Sequence, residues 1–175
     1  MSGHNKWSKI KHKKESSDAK KSKMFSKFVK LIQVESKKSG GDKNSPGLRA
    51  AIDKARAENM PMDNIERAIT KGKTDTAANM EYVIFESYGP GGSAIIIVGL
   101  TDNNNRTAPE IKHILAKRGL KLAAPGSVVW AFEKLNSEWN AKTPYEISSE
   151  DLKKLEELVE ELEAYDDVQG VYTNV

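Results

Sequence analysis

The sequence predicts an α+β protein: an N-terminal three-helix domain followed by a ferredoxin-like-type α+β sandwich. Two observations carry this. The apolar residues recur at helical spacing as far as Gly72 and then at strand spacing from Tyr82 onward, with helical segments interposed. The charge changes sign at the same place, since residues 1–80 carry a net charge of +10 and residues 81–175 a net charge of −7. The expected organisation is a flexible basic arm over 1–15, a helical domain over 16–76 and an α+β domain over 77–175.

Taking the elements in order, residues 1–15 lack any helical apolar period and are too charged to bury, so they are expected to order only on a partner. A first helix is expected from a cap at Ser16 or Ser17, burying Phe25, Phe28, Val29 and Ile32 and stopping before Gly40-Gly41. A second starts at Ser45 with Pro46 in its first position, buries Leu48, Ala51, Ile52 and Ala55, and ends before Pro61. For the third, Asp63 and Glu66 form a capping box, Ile65, Ala68 and Ile69 face inward, and Gly72 terminates it.

Beyond a polar linker, Tyr82 to Tyr88 and Ser93 to Leu100 flank Gly89-Pro90-Gly91-Gly92 as a hairpin, and the β-branched run Ala94 to Val98 suits a buried strand. Thr107 and Glu110 are expected to form a capping box for a helix carrying Ile111, Ile114 and Leu115 and ending at Gly119. Strands follow at Ser127 to Leu135 and Thr143 to Ile147, then an acidic helix from Ser148 or Ser149 to about Ala164 and a last strand at Val168 to Thr173. The order β-β-α-β-β-α-β puts helices on one sheet face. Leu152, Leu155, Val159 and Leu162 are expected to pack on that sheet, because two heptads are too few for a coiled coil.

The charge itself is functional evidence. The first thirty residues hold ten lysines against one aspartate and one glutamate, with Trp7, His4 and His12 among them. Lysine density suits a polyanion, because each neutralised phosphate releases counterions. An indole in a cationic setting can stack on an exposed base. The candidate nucleic-acid-binding residues are Lys6, Trp7, Lys9, Lys11, His12, Lys13, Lys14, Lys20, Lys21, Lys23 and Lys27, together with Arg106. Arg106 ends Asp102-Asn103-Asn104-Asn105-Arg106 before a helix N-terminus, where backbone N–H groups can receive an anion, although local capping by Asx side chains accounts for that motif more simply. All ten cations of the opening stretch are lysine, a point charge on phosphate more than a reader of guanine edges, which favours backbone and shape recognition and a structured RNA over a DNA operator.

Other chemistries find no support in the sequence. Gly72-Lys73-Thr74 is no phosphate loop, since Arg67 occupies the place of the required first glycine and a helix precedes it. The histidines are scattered, no cysteine exists, and the densest acidic cluster, Glu156 to Glu163, lies on an amphipathic helix. No metal, no cofactor and no enzymatic activity are expected. No apolar run approaches a membrane span, and the absence of cysteine is compatible with a reducing cytosol, so a cytoplasmic protein without membrane contact, most simply a monomer, is expected.

Several motifs together resemble the YebC family, which includes the mitochondrial translational activator of cytochrome oxidase. They are Gly3-His4-x-Lys6-Trp7 with Ile10-Lys11-His12-x-Lys14 and Asp18-Ala19-Lys20, then Asn59-Met60-Pro61 with Asp63 to Ile69, and Tyr88-Gly89-Pro90-Gly91-Gly92. Leu100 to Thr107, Gly126-Ser127-Val128 with Trp130 and Phe132, and Asp167-Val168-Gln169 with Val171-Tyr172 complete the set. One departure stands out: the family's extra α+β domain after the Trp130 strand is absent, and only Lys134 to Lys142 lies there. The resemblance implies a non-enzymatic regulator of gene expression, either a DNA-binding transcriptional regulator on duplex DNA or a translation factor that meets ribosomal RNA on the ribosome and aids decoding of proline-rich sequences.

Overall fold

The computed structural model describes residues 18–74, 79–135 and 138–175, which fall into two compact units, one ending at Glu81 and the other beginning at Tyr82. The arm at 1–15 and its expected contacts lie outside the described residues.

The first unit is three helices: α1 (Asp18–Ser39), α2 (Pro46–Ala57) and α3 (Met62–Lys73). Ile32, Leu48, Ala51, Ile52, Ala55, Met60, Ile65, Ala68 and Ile69 form its core, with Phe25, Phe28 and Val29 half-buried against it. The expected apolar stripes are therefore the ones that meet. Between α2 and α3 the chain reverses at Asn59, whose φ of 60° is left-handed, and the Met60 N–H closes the helix end on the Ala55 carbonyl at 3.0 Å.

Two expectations for α3 are corrected. The helix begins two residues early, at Met62, and Pro61 is its N-cap, its carbonyl accepting from the N–H groups of Asn64 and Ile65. Asp63 thus sits inside the first turn, and Glu66 reaches Lys43 at 2.5 Å instead of closing a box. Nor does Gly72 end the helix. It is buried within the last turn, where a Cβ would lie 2.5 Å from the Gln33 carbonyl oxygen and 2.7 Å from Ser36 Cβ. Glycine there lets α3 approach the backbone of α1, and the buried Ser36 hydroxyl donates across the same contact to the Ile69 carbonyl at 2.7 Å.

The second unit runs β1 (Glu81–Tyr88), β2 (Ala94–Thr101), α4 (Asn104–Ala116), β3 (Phe132–Leu135), β4 (Glu138–Ala141), α5 (Ser149–Ala164) and β5 (Val168–Thr173), with single 3-10 turns at Pro90–Gly92 and Val129–Ala131. The main sheet has the order β1-β2-β5, and β3 and β4 form a separate antiparallel pair. β2 is buried on both faces, which explains its unbroken apolar run. Ile95 and Ile97 face α4 and α5 through Ile111, Leu115, Leu155, Leu158, Val159 and Leu162. Ala94 and Ile96 face the other way, onto Val128, Ala131 and Phe132. The helices occupy one sheet face, as expected, and the β3-β4 hairpin with its lead-in covers the other.

The expected strand at Ser127 to Leu135 is shortened, because Val129–Ala131 coils into the 3-10 turn. No strand forms at Thr143 to Ile147. That segment is held beside the chain end by one backbone bond, Tyr145 N–H to the Asn174 carbonyl at 2.7 Å, and Pro144 has no N–H to extend a ladder. The second strand of the hairpin is instead β4, within Lys134 to Lys142. α4 also differs at its start. Asn103 is the cap, its side chain accepting from the Asn105 N–H, while Thr107 is buried inside the helix. No helix among the described residues is long and apolar enough to cross a membrane.

Candidate nucleic-acid interface

Within α1 the lysines are ordered by the helix period. Lys20, Lys23, Lys27 and Lys30 succeed one another at intervals of three and four and so share one face. Phe25, Phe28, Val29 and Ile32 occupy the face toward the core. Lys21 stands apart from the stripe at the core's edge, its Nζ 5.8 Å from the Phe25 ring centre, above an open groove lined by Phe25, Val29, Met60 and Asn64. Lys20, Lys21 and Lys23 lie toward the N-terminal end of the helix, where the macrodipole is itself positive and Asp18 is the acidic residue of the first turn. Cations there add to the positive end of the helix dipole, so their placement concentrates positive potential. Of the expected contact residues, Lys20, Lys23 and Lys27 share one face of this helix, and Lys21 lies on the same helix off that face. Lys6, Trp7, Lys9, Lys11, His12, Lys13 and Lys14 lie outside the described residues.

Arg106 belongs to the second unit, in the first turn of α4. Its Nη2 donates to Asp167 Oδ2 at 2.8 Å and to Asp102 Oδ1 at 2.9 Å. Those two carboxylates, Asp167 foremost, push its pKa above the usual arginine value. Asp167 is the centre of the cluster: its buried Oδ2 also accepts from Thr107 Oγ1 at 2.8 Å, Tyr165 OH at 3.3 Å and Thr101 Oγ1 at 3.4 Å. A bulge in the β2-β5 ladder between Val98 and Gly99 places it there, with the Leu100 N–H on the Asp167 carbonyl at 2.7 Å. Asn103 and Asp167 thus give the Asp102 to Arg106 motif a capping and bracing duty, while the Arg106 side chain remains 49% exposed.

A second polar centre, which no sequence motif marks, lies at Glu86. Its buried carboxylate accepts from the backbone N–H groups of Gly126 at 2.6 Å, Val128 at 2.7 Å and Val129 at 3.0 Å. Burial works to raise this carboxyl, but the three amide donors outweigh it and hold the group below the usual glutamate value. The loop so fixed presents the Ser127 carbonyl, which accepts from both Tyr88 OH at 3.0 Å and Trp130 Nε1 at 2.7 Å. Tyr88 and Trp130 are 49% and 67% exposed. The signal available in the sequence was an acid inside a strand, after the apolar run Tyr82 to Phe85, with a Gly-Ser pair forty residues on. Among the described residues no cluster of His, Cys, Asp or Glu could hold a metal ion.

The profile of the TACO1/YebC protein N-terminal domain matches residues 5–75, and that of the TACO1/YebC second and third domain matches residues 80–136 and 133–175. The chain belongs to the TACO1/YebC family. The two matched segments of the second profile meet within β3, so this TACO1/YebC chain lacks the inserted domain, and β3 and β4 pair directly where the insertion would stand. A probable transcriptional regulatory protein of Thermoanaerobacter pseudethanolicus is 39% identical over an alignment of 238 positions that spans all of this chain and 97% of that protein. A probable transcriptional regulatory protein of Thermotoga maritima is 51% identical over 162 residues, 91% of this chain but 61% of that protein, so the chain spans about three-fifths of its length. The crystal structure of a conserved hypothetical protein from Aquifex aeolicus matches with a TM-score of 0.81 at 31% identity, covering 96% of this chain and 95% of that one.

Proposed function

We propose that this chain is a non-enzymatic, nucleic-acid-binding regulator of gene expression that works on the ribosome, its lysines holding ribosomal RNA by phosphate and shape. The observation that carries the proposal is the stripe of Lys20, Lys23, Lys27 and Lys30 on α1, continuous in sequence with the five lysines that precede Lys20 in a chain whose other half is acidic. Four lysines on one helical face concentrate positive potential where an anion can share it. On this reading Lys6, Trp7, Lys9, Lys11, His12, Lys13 and Lys14 extend the contact, and Arg106 braces its own loop while offering its exposed edge to a phosphate. A role in decoding proline-rich sequences rests on the family resemblance.

Co-sedimentation with ribosomes tests the reading, comparing wild type with a variant carrying Lys20→Glu, Lys23→Glu, Lys27→Glu and Lys30→Glu. Wild type is expected in the ribosomal pellet and the variant in the supernatant; absence of both from the pellet refutes a ribosomal site. The names of the relatives favour a second reading, a transcriptional regulator on duplex DNA. It requires one duplex sequence to be bound at least about a thousandfold more tightly than scrambled duplex.

A further inference from the structure

We infer that Tyr88 and Trp130 form a stacking site for unpaired nucleobases, separate from the lysine face of α1. The inference deepens the proposed function and rests on it, since it assumes that a single-stranded nucleic acid is the ligand.

Two large aromatic side chains left about half and two-thirds exposed forgo a good part of a burial worth roughly 1.5 to 3 kcal/mol when complete. These two are nevertheless held in place. Their polar tips converge on one acceptor, the Ser127 carbonyl oxygen, at 3.0 and 2.7 Å. That carbonyl is immobilised in turn, because the peptide N–H groups on either side of it, at Gly126, Val128 and Val129, are all spent on Glu86. Gly126 has a φ of +89°, which allows the loop to turn its amides inward and leave Ser127 between the two rings. Glu86 is therefore a positioning residue, and the aromatic pair is ordered before any ligand arrives.

The surrounding charge selects the ligand. In a half of the chain that is net negative, the three segments flanking the pair, 88–94, 120–131 and 139–145, contain no acidic residue and two lysines, Lys121 and Lys142. The backbones of both are tied to neighbours of the two aromatics: the Lys121 carbonyl accepts from Ser87 Oγ at 3.1 Å, and the Lys142 N–H donates to the Ala131 carbonyl at 2.9 Å. Fixed, exposed ring faces in acid-free stretches of chain match an unpaired planar base on an anionic strand. A paired base has both faces covered by its neighbours, so the site discriminates for single strands.

The full chain is titrated by fluorescence anisotropy with an oligouridylate of about ten nucleotides and with an abasic RNA of equal phosphate number, at one salt concentration. With stacking worth about 1 to 3 kcal/mol per base, wild type is expected to prefer the base-bearing strand by about tenfold or more. Trp130→Ala is expected to abolish most of that preference, whereas Trp130→Phe, which keeps a ring, retains it. Equal binding of the two strands by wild type overturns this inference alone. Binding of neither strand overturns it together with the function on which it rests. A preference lost in Trp7→Ala but intact in Trp130→Ala also overturns it. On the unmutated chain, photocrosslinks from a 5-bromouridine-substituted strand are expected at Tyr88 or Trp130; crosslinks confined to other residues contradict the assignment.

Discussion

Gly72→Ala and Gly47→Ala are the same substitution in two helices of one small unit, and they are predicted to act in opposite directions. Helix propensity alone favours alanine over an interior glycine by about 1 kcal/mol. At Gly72 the new Cβ would stand 2.5 Å from the Gln33 carbonyl oxygen, 2.7 Å from Ser36 Cβ and 2.9 Å from Gln33 Cα. Two of those three atoms are backbone, so relief requires α3 to move away from α1 and disturbs the Ser36 to Ile69 hydrogen bond in that contact. Overpacking of this kind costs about 1 to 3 kcal/mol, and a lost buried hydrogen bond adds about 1 more. The steric cost exceeds the propensity gain, and Gly72→Ala is expected to destabilise by about 1 to 3 kcal/mol. At Gly47 the nearest atoms are those of the Glu35 carboxyl, the end of a flexible side chain that can swing aside. There the expected change runs from neutral to about 0.5 kcal/mol of stabilisation, because Gly47 lies in the first turn, where propensity acts weakly. Urea unfolding of the two variants beside wild type measures both changes. A stabilised Gly72→Ala, or shifts of the same sign and size at both positions, would refute the close approach of α3 to α1.

Three further outcomes follow from the second unit and from its charge. Asp167→Asn keeps the shape of the side chain but removes the charge on which Arg106, Thr107, Tyr165 and Thr101 converge, and a destabilisation of about 2 to 4 kcal/mol in urea is expected; a change below about 0.5 kcal/mol would show that the cluster braces nothing. Glu86 has its pKa depressed in the folded state, so its contribution is present above the unfolded glutamate value and is lost as pH falls through the lower folded value. Wild type should therefore lose stability on acidification through that window, and Glu86→Gln should show a flatter pH dependence; identical acid profiles would remove Glu86 from the account. Since the expected nucleic-acid contact is with phosphate, raising salt should weaken binding of random single strands and of random duplex alike, and a salt-independent affinity would exclude that mode.

The helical unit was legible because its code is local. Phe25, Phe28, Val29 and Ile32, or Leu48, Ala51, Ile52 and Ala55, repeat at the period of the helix they make, and the structure buries or half-buries those same side chains. β5 was legible at its observed bounds, Val168 to Thr173, and β2 betrayed its two covered faces by an apolar run without alternation. What failed was governed by neighbours distant in sequence. Glu138 to Ala141 has no run of β-branched residues; it becomes a strand because Phe132 to Leu135 lies across from it. Thr143 to Ile147 has strand-like composition but finds only the Asn174 carbonyl. Gly72 resembles a helix stop until Gln33 and Ser36 are seen against it. Thr107 fits a capping box, yet its hydroxyl is required by Asp167, sixty residues away in sequence. The same division holds for the candidate sites. Lysine density and spacing can be read from the chain, whereas the exposure of Tyr88 and Trp130 depends on Glu86 gathering amides from a loop about forty residues further along.

The central claim is that the lysines of α1 bind nucleic acid through phosphate, and the salt dependence of affinity tests it most directly. The dissociation constant for single-stranded RNA should be measured over a range of salt for wild type and for the chain with Lys20, Lys23, Lys27 and Lys30 changed to alanine. Each lysine that neutralises a phosphate contributes about 0.7 to the slope of log affinity against log salt. The account predicts a slope shallower by roughly 2 to 3 in the quadruple variant, as expected if most of the four engage phosphate. An unchanged slope with unchanged affinity would contradict it and leave the lysine face of α1 as solvated surface.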